Sequence, residues 1–132
     1  MDFTLGNVST EEGLRLLKAG QIDQAIDVLG KVLQADSEDA KAHMYIGIAY
    51  YHKNDRLHSI HHLEESLRLE ETPKGYYNLG LVYEAVHRVD EAVRQYRMAL
   101  EMDPNYELAK QALKRLHDKF EASHSQKDDS TS

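Results

Sequence analysis

Histidine is the residue type most able to do chemistry in this chain, and eight of them occur in 132 residues. His58 and His62 stand four apart, so on a helix they share a face and could chelate a metal together, with His61 beside them. Spacing fixes no third ligand, no His-Glu-x-x-His arrangement is present, and a solvated helix face accounts for His61 and His62 equally well. Cysteine is absent, which removes thiolate nucleophiles, disulfides and thiolate-bound zinc, and is compatible with a reducing compartment. The acidic pairs Glu11-Glu12, Glu64-Glu65 and Glu70-Glu71 are adjacent in sequence, so they diverge around a helix and cannot flank one substrate bond. All seven glycines stand singly, so no glycine-rich phosphate loop exists. These residues point away from an enzyme, and toward no metal and no cofactor.

Composition narrows the classes further. Apolar residues make up 41% and charged residues 30%, an ordinary globular balance for one domain. Tryptophan is missing, so a core must be built from Leu, Ile, Val, Ala and Tyr. A formal charge of -7 with no clustered Lys/Arg surface argues against a nucleic-acid partner. Met1 to Val8 holds no basic leader, and no stretch approaches the roughly 18 apolar residues that a membrane helix needs. No membrane partner is expected, and the cytoplasm is the expected compartment.

The elements that would position such residues are all helical. Ser9 with Glu12 forms a capping-box pattern, followed by Leu14 and Leu17 and a stop at Gly20. Asp23 is placed to cap the next run, where Ala25, Ile26, Leu29, Val32 and Leu33 recur at threes and fours before the polar stretch Asp36 to Asp39. The pattern predicts two more pairs: Ala40 to Lys53 with Arg56 to Leu69, then Pro73 to His87 with Asp90 to Met102. Asn54-Asp55 and Arg88-Val89 are the tight turns, and Thr72 before Pro73 is a cap followed by a first-turn proline. A last run from Asn105 to about Glu121 keeps Leu108, Ala112, Leu113, Leu116 and Phe120 on one stripe and reads as a cap. Ala122 to Ser132 is Ser, Asp, Lys and Gln and is expected to be a disordered tail.

Gly13, Gly47 and Gly80 are separated by 34 and 33 residues, and Ala25, Ser59 and Ala92 each follow a glycine by 12. Helix-turn-helix units of this period resemble the tetratricopeptide repeat family. The third unit carries the pattern best, with Tyr76, Leu79, Gly80, Tyr83, Ala92, Tyr96, Ala99 and Pro104. In the second, His43 stands in the Trp slot and Ser59 and Ser66 replace both small Ala positions. The first puts polar Ser9 and Glu12 where an interior unit is apolar, which suits an array end. Small residues serve helices that cross closely, so Gly13 should meet the helix bearing Ala25.

The resemblance implies an all-α fold, a right-handed superhelical array of three antiparallel helix pairs plus a C-terminal capping helix. The repeats would span about 6–39, 40–72 and 73–106 within a domain of 9–121, with 1–8 as an N-terminal segment and 122–132 as the tail. It also implies that the first helix of each pair lines a concave groove. Carried over by slot, that groove collects Asn7, Thr10, Leu14, Leu17 and Lys18, then Lys41, Met44, Ile48, Tyr51 and His52, then Lys74, Tyr77, Leu81, Glu84 and Ala85. Its middle would be an exposed apolar strip flanked by Lys18, Lys41 and Lys74, suited to an apolar peptide or helix of another protein with acidic flanks. The positions that grip chaperone C-terminal carboxylates in one subclass are here Thr10, Leu14, Tyr45, Lys74 and Tyr77, of which only Lys74 fits. The expected function is an adaptor or assembly scaffold. The alternative is a self-associating module that meets another copy through the groove or the Leu108, Leu116 and Phe120 stripe, and the free Phe3, Leu5 and Val8 could fill a groove themselves.

Overall fold

The computed structural model describes residues 9–131, with side chains through Ser125. Seven helices follow one another: α1 (Thr10–Lys18), α2 (Ile22–Ala35), α3 (Ala40–His52), α4 (Arg56–Leu69), α5 (Pro73–Ala85), α6 (Val89–Met102) and α7 (Glu107–Thr131). Successive helices pack as antiparallel pairs, and α1, α3 and α5 also touch in a row, which makes them the inner layer of the superhelix.

Within each pair the helices meet at a glycine. A β-carbon on Gly13 would lie 2.3 Å from Leu29, on Gly47 2.8 Å from Leu63, and on Gly80 2.5 Å from the Tyr96 ring. Those three partners are fully buried, as are Ala25, Ser59 and Ala92 four residues before them. Gly13 therefore meets the helix bearing Ala25, as the spacing predicts. In the second pair Ser59 donates to the Gly47 carbonyl at 2.7 Å and Ser66 to the Ala40 carbonyl at 2.8 Å. Each buried hydroxyl thus keeps a partner while matching alanine closely in size.

The turns repeat as strictly as the contacts. Gly20, Asn54 and His87 all adopt left-handed backbone, with φ of 79°, 62° and 63°. After each, the next residue donates back five positions, Gln21 to Leu16, Asp55 to Tyr50 and Arg88 to Tyr83, closing a Schellman turn. This turn sets where the second helix starts, and it makes Gln21 the N-cap of α2 rather than Asp23. Asp23 sits in the first turn and instead pairs with Lys53 at 2.6 Å. The third left-handed residue is His87, one position before the Arg88-Val89 turn expected from sequence, because neither Gly nor Asn marks the site.

Elsewhere Ser9, Asp39, Asp55 and Thr72 each accept a backbone N–H of the following helix. Glu12 does not complete the capping box, since Arg15 engages its carboxylate at 2.6 Å. The largest departure is α7, which stays helical to Thr131 where a structureless tail was expected from Ala122. No proline or glycine interrupts that stretch, and each residue added to a formed helix gains one backbone hydrogen bond.

Two substitutions probe these constraints. Gly80→Ala should destabilise by about 2 kcal/mol, overpacking against a buried ring outweighing the gain in helix propensity; a drop of several degrees in the circular-dichroism melting curve checks it, and an unchanged curve contradicts the contact. His87→Gly should stabilise by up to about 1 kcal/mol, since only glycine adopts left-handed backbone without cost. An equal or lower melting point would refute that reading.

Candidate functional site

The inner layer places the expected groove residues unequally. Lys41, Met44 and Lys74 come together with Tyr45, Thr72 and Glu70 around a cleft of about 210 Å³ between the N-terminal ends of α3 and α5. Lys74 lies over the Tyr45 ring, 5.5 Å from its centre. Ile48, Tyr51, His52 and Leu81 line a second, narrower cleft of about 90 Å³ further along the same two helices, joined by Asn78. Tyr77 belongs to a third, of about 340 Å³, shared with Leu108, Gln111 and Arg115 of α7. Leu14, Leu17 and Lys18 line none of these three. Both leucines are half-buried against the core, while Lys18 is exposed.

The expectation of an openly exposed apolar strip needs correction at several positions. Met44 is 6% exposed, because helix α3 is apolar nearly all round and turns this side chain inward between its neighbours. Ile48, Tyr51, Tyr77 and Leu81 are half-buried, each packing one side on the core and presenting the other to a cleft. Thr10 is buried and donates to Asp39 at 2.6 Å, tying the start of α1 to the cap of α3. Asn7 lies outside the described residues, as does the N-terminal segment with Phe3, Leu5 and Val8.

Glu84, expected as the groove's acid, is already engaged. Arg115 of α7 grips it with two nitrogens at 2.8 Å and 2.7 Å, and Tyr96 donates its hydroxyl to the same carboxylate. Burial would raise the Glu84 carboxyl, but the Arg115 and Tyr96 hydrogen bonds outweigh it and hold the group below its ordinary value. Burial and the same carboxylate push the Tyr96 hydroxyl up. Tyr77 packs between the Tyr96 ring at 5.8 Å and Tyr106 at 6.0 Å, which closes this end of the inner face. Arg115 and Asn78 were missed by sequence reasoning. Asn78 stands one turn after Lys74 and was findable from helical spacing, whereas the reach of Arg115 back to α5 depends on how α7 docks.

The histidines form a structural cluster instead of a chelate. His58 pairs with Asp55 at 2.7 Å, and His62 Nδ1 meets His43 Nδ1 at 3.1 Å. Their ring centres are 5.3 Å apart and their planes differ by 29°, so the two nitrogens face one another nearly in line, as a hydrogen bond requires. His43 Nε2 lies 2.9 Å from the Ser37 carbonyl, which must accept. His43 therefore carries its proton on Nε2, and His62 donates to the free Nδ1. Tyr50 stacks against both His58 and His62. Among the described residues no three His, Asp or Glu side chains converge as metal ligands, and no helix is long and apolar enough to cross a membrane.

Comparison with known proteins follows the same lines. Models described as tetratricopeptide repeat match residues 10–56 and 73–106, together more than half of the chain. A protein O-mannosyl-transferase of Caenorhabditis elegans is 29% identical over 99 residues, which is 74% of this chain but 14% of the enzyme. Its whole-protein activity is therefore not carried over. The first TPR of Spaghetti (RPAP3) bound to the HSP90 peptide SRMEEVD superposes with a TM-score of 0.79 at 24% identity, covering 84% of this chain and 89% of that one. The second TPR domain of human RPAP3, in complex with the HSP70 peptide SGPTIEEVD, gives 0.75 at 18%, covering 81% and 90%. At these identities the two structures show the shared fold.

The histidine pair sets a pH dependence. Burial, then the charges of His43, His61 and His58, lower the His62 pKa from 6.5 to about 4. The unfolded chain thus takes up a proton between about pH 6.5 and pH 4 that the folded one refuses, so stability is full above this window and falls as pH drops through it. For a half-buried group the loss should be about 1 kcal/mol. His62→Gln, whose amide can still donate to His43, should flatten urea midpoints measured from pH 7 to pH 4; an equally steep decline in that variant would place the effect elsewhere.

Proposed function

Since the chain belongs to the tetratricopeptide repeat family, we propose that it is a protein-interaction module whose inner face holds a peptide or helix of a partner protein. The observation that carries this reading is the run of clefts along α3, α5 and α7, the first two lined mainly by apolar surface and all three by some polar side chains. Concave sites of that make-up bind side chains in the floor and fix their orientation at the rim. The two superposed domains whose bound peptides are named support the same use of the fold.

The charge pattern indicates what kind of segment fits. Glu84 is neutralised by Arg115, while Lys41 and Lys74 carry no carboxylate partner among the described residues. An apolar segment with an acidic flank would place its side chains in the first two clefts and its carboxylate between those lysines. Asn78 offers an amide edge midway, although its nitrogen now donates to the Lys74 carbonyl at 2.8 Å. Tyr51 and Tyr77, which bury one edge and present the other, supply rigid contact area at small entropic cost.

The test is a lysate pull-down from the source organism. It compares wild type with a Tyr51→Ala, Leu81→Ala, Lys74→Glu variant whose circular dichroism is unchanged. The variant should retain at least tenfold less of whatever protein wild type retains. Equal retention by both baits would exclude the inner face as the site, and recovery of the chain alone would favour self-association.

A further inference from the structure

A further cleft, of about 370 Å³, lies apart from the inner face, where α6 meets α7. Val89 and Val93 of α6 form one wall and Leu113, Leu116 and Phe120 of α7 the other, with Arg97, His117 and the single acid Asp90 as its polar residues. The array itself shows what such a surface receives. Thirty-four residues before Leu113, Leu116, His117 and Phe120 stand Leu79, Val82, Tyr83 and Val86 of α5. The first three of these are buried, and the helix that packs on α5 is α6. On α7 the same slots hold half-buried leucines, an exposed His117 and a Phe120 that is 55% exposed, and no described helix covers them.

The occupant differs from α6 in ways that define it. Gly80 lets α6 bring Tyr96 against the backbone of α5, whereas Lys114 fills that slot on α7 and holds a second helix off, toward the α6 wall of the cleft. Charge is reversed as well. In the third pair α4 and α5 present Glu64 and the Tyr83 ring, and α6 brings arginines to them: Arg88 lies 5.2 Å from the ring centre, and Arg94 is near enough to act on the hydroxyl. One repeat later those places hold Arg97 and His117, with Lys114 near by. Arg97 has no carboxylate partner among the described residues, and Lys114 has only Asp118 of its own helix. A second copy of this chain matches poorly, because α7 from Lys110 to Phe120 carries Lys110, Lys114, Arg115 and Lys119 against one acid.

We propose that this cleft is a second docking surface, holding an amphipathic helix of a partner protein whose apolar stripe rests on Val93, Leu116 and Phe120 and whose carboxylates face Arg97 and Lys114. The wall from Val89 to Arg97 is about 12 Å long, so apolar anchors at i, i+3 and i+7 span it. What the inner face binds does not enter this reading.

The chain has no tryptophan, so Phe120→Trp in the full chain puts a single reporter in the cleft. The probes are two synthetic helical peptides of about five turns with the same leucine stripe, one flanked by Glu and one by Lys. The Glu peptide should move the indole emission to the blue and bind at least tenfold tighter than the Lys peptide. Attraction to a chain of net charge -7 alone would give the opposite order. Arg97→Glu with Lys114→Glu should reverse the preference while circular dichroism stays unchanged, and the Tyr51→Ala, Leu81→Ala, Lys74→Glu variant should keep it. No shift with either peptide, or equal affinity for both, overturns the proposal. So does a preference that survives the charge reversal, or one lost in the inner-face variant, which would seat the peptide in the inner groove. An indole already shielded in the free chain, with a mass that rises with concentration, would give the cleft to a second copy and overturn it too.

Discussion

Every pair in this fold depends on one steric constraint: two helices approach until the backbone at Gly13, Gly47 or Gly80 lies against a side chain of its partner. The partner differs, being Leu29, Leu63 and then Tyr96, yet each is fully buried at the same point. That contact sets the spacing between the two layers, and burying each of these side chains contributes about 1.5–3 kcal/mol. It also sets the rotation of the inner helix, because the face bearing glycine must point outward to the second helix. The opposite face is then left to the groove. Core and candidate site are thus two sides of the same three helices, which explains why Ile48, Tyr51, Tyr77 and Leu81 are half-buried instead of free.

The same reasoning explains how far the sequence could be read. Glycine spacing of 34 and 33 residues identifies the close contacts, because no other residue fits there and the signal is local to one position. Turn positions were legible at Gly20 and Asn54 but not at His87, where the geometry is imposed by the bonds of Arg88 to Tyr83 and of the flanking helices. Carry-over by family slot assigned Met44 to the groove and could not see that α3, apolar on most sides, leaves that residue almost wholly buried. The occupation of Glu84 by Arg115, 31 residues away, is a tertiary fact with no local signature. Asn78 is different. Its place beside Lys74 follows from spacing alone.

The histidine cluster shows how a family slot can be filled by different chemistry. His43 occupies a position where an aromatic ring usually packs, and it is 7% exposed. A buried imidazole needs both nitrogens satisfied, and the Ser37 carbonyl and His62 do this only with one specific set of protons. What reads in sequence as a pair of metal ligands at i and i+4 is resolved by the preceding helix, α3, whose His43 takes His62 as its partner while His58 pairs with Asp55.

Helix α7 follows from the array's geometry at its open end. It packs on α6 with Ala109 and Ala112 buried, the same way α3 meets α2 and α5 meets α4. One period after Gly80, however, the slot for close approach holds Lys114, which is paired with Asp118 in solvent. A second helix of the usual kind packed there would have to bury that ammonium against its backbone. The docking of α7 has an electrostatic result. Arg115, the neighbour of that lysine, turns inward and neutralises Glu84, so the unpaired charge left at the inner clefts belongs mainly to Lys41 and Lys74 on a chain of net charge -7. Helix α7 therefore also sets the balance of charge at the inner clefts.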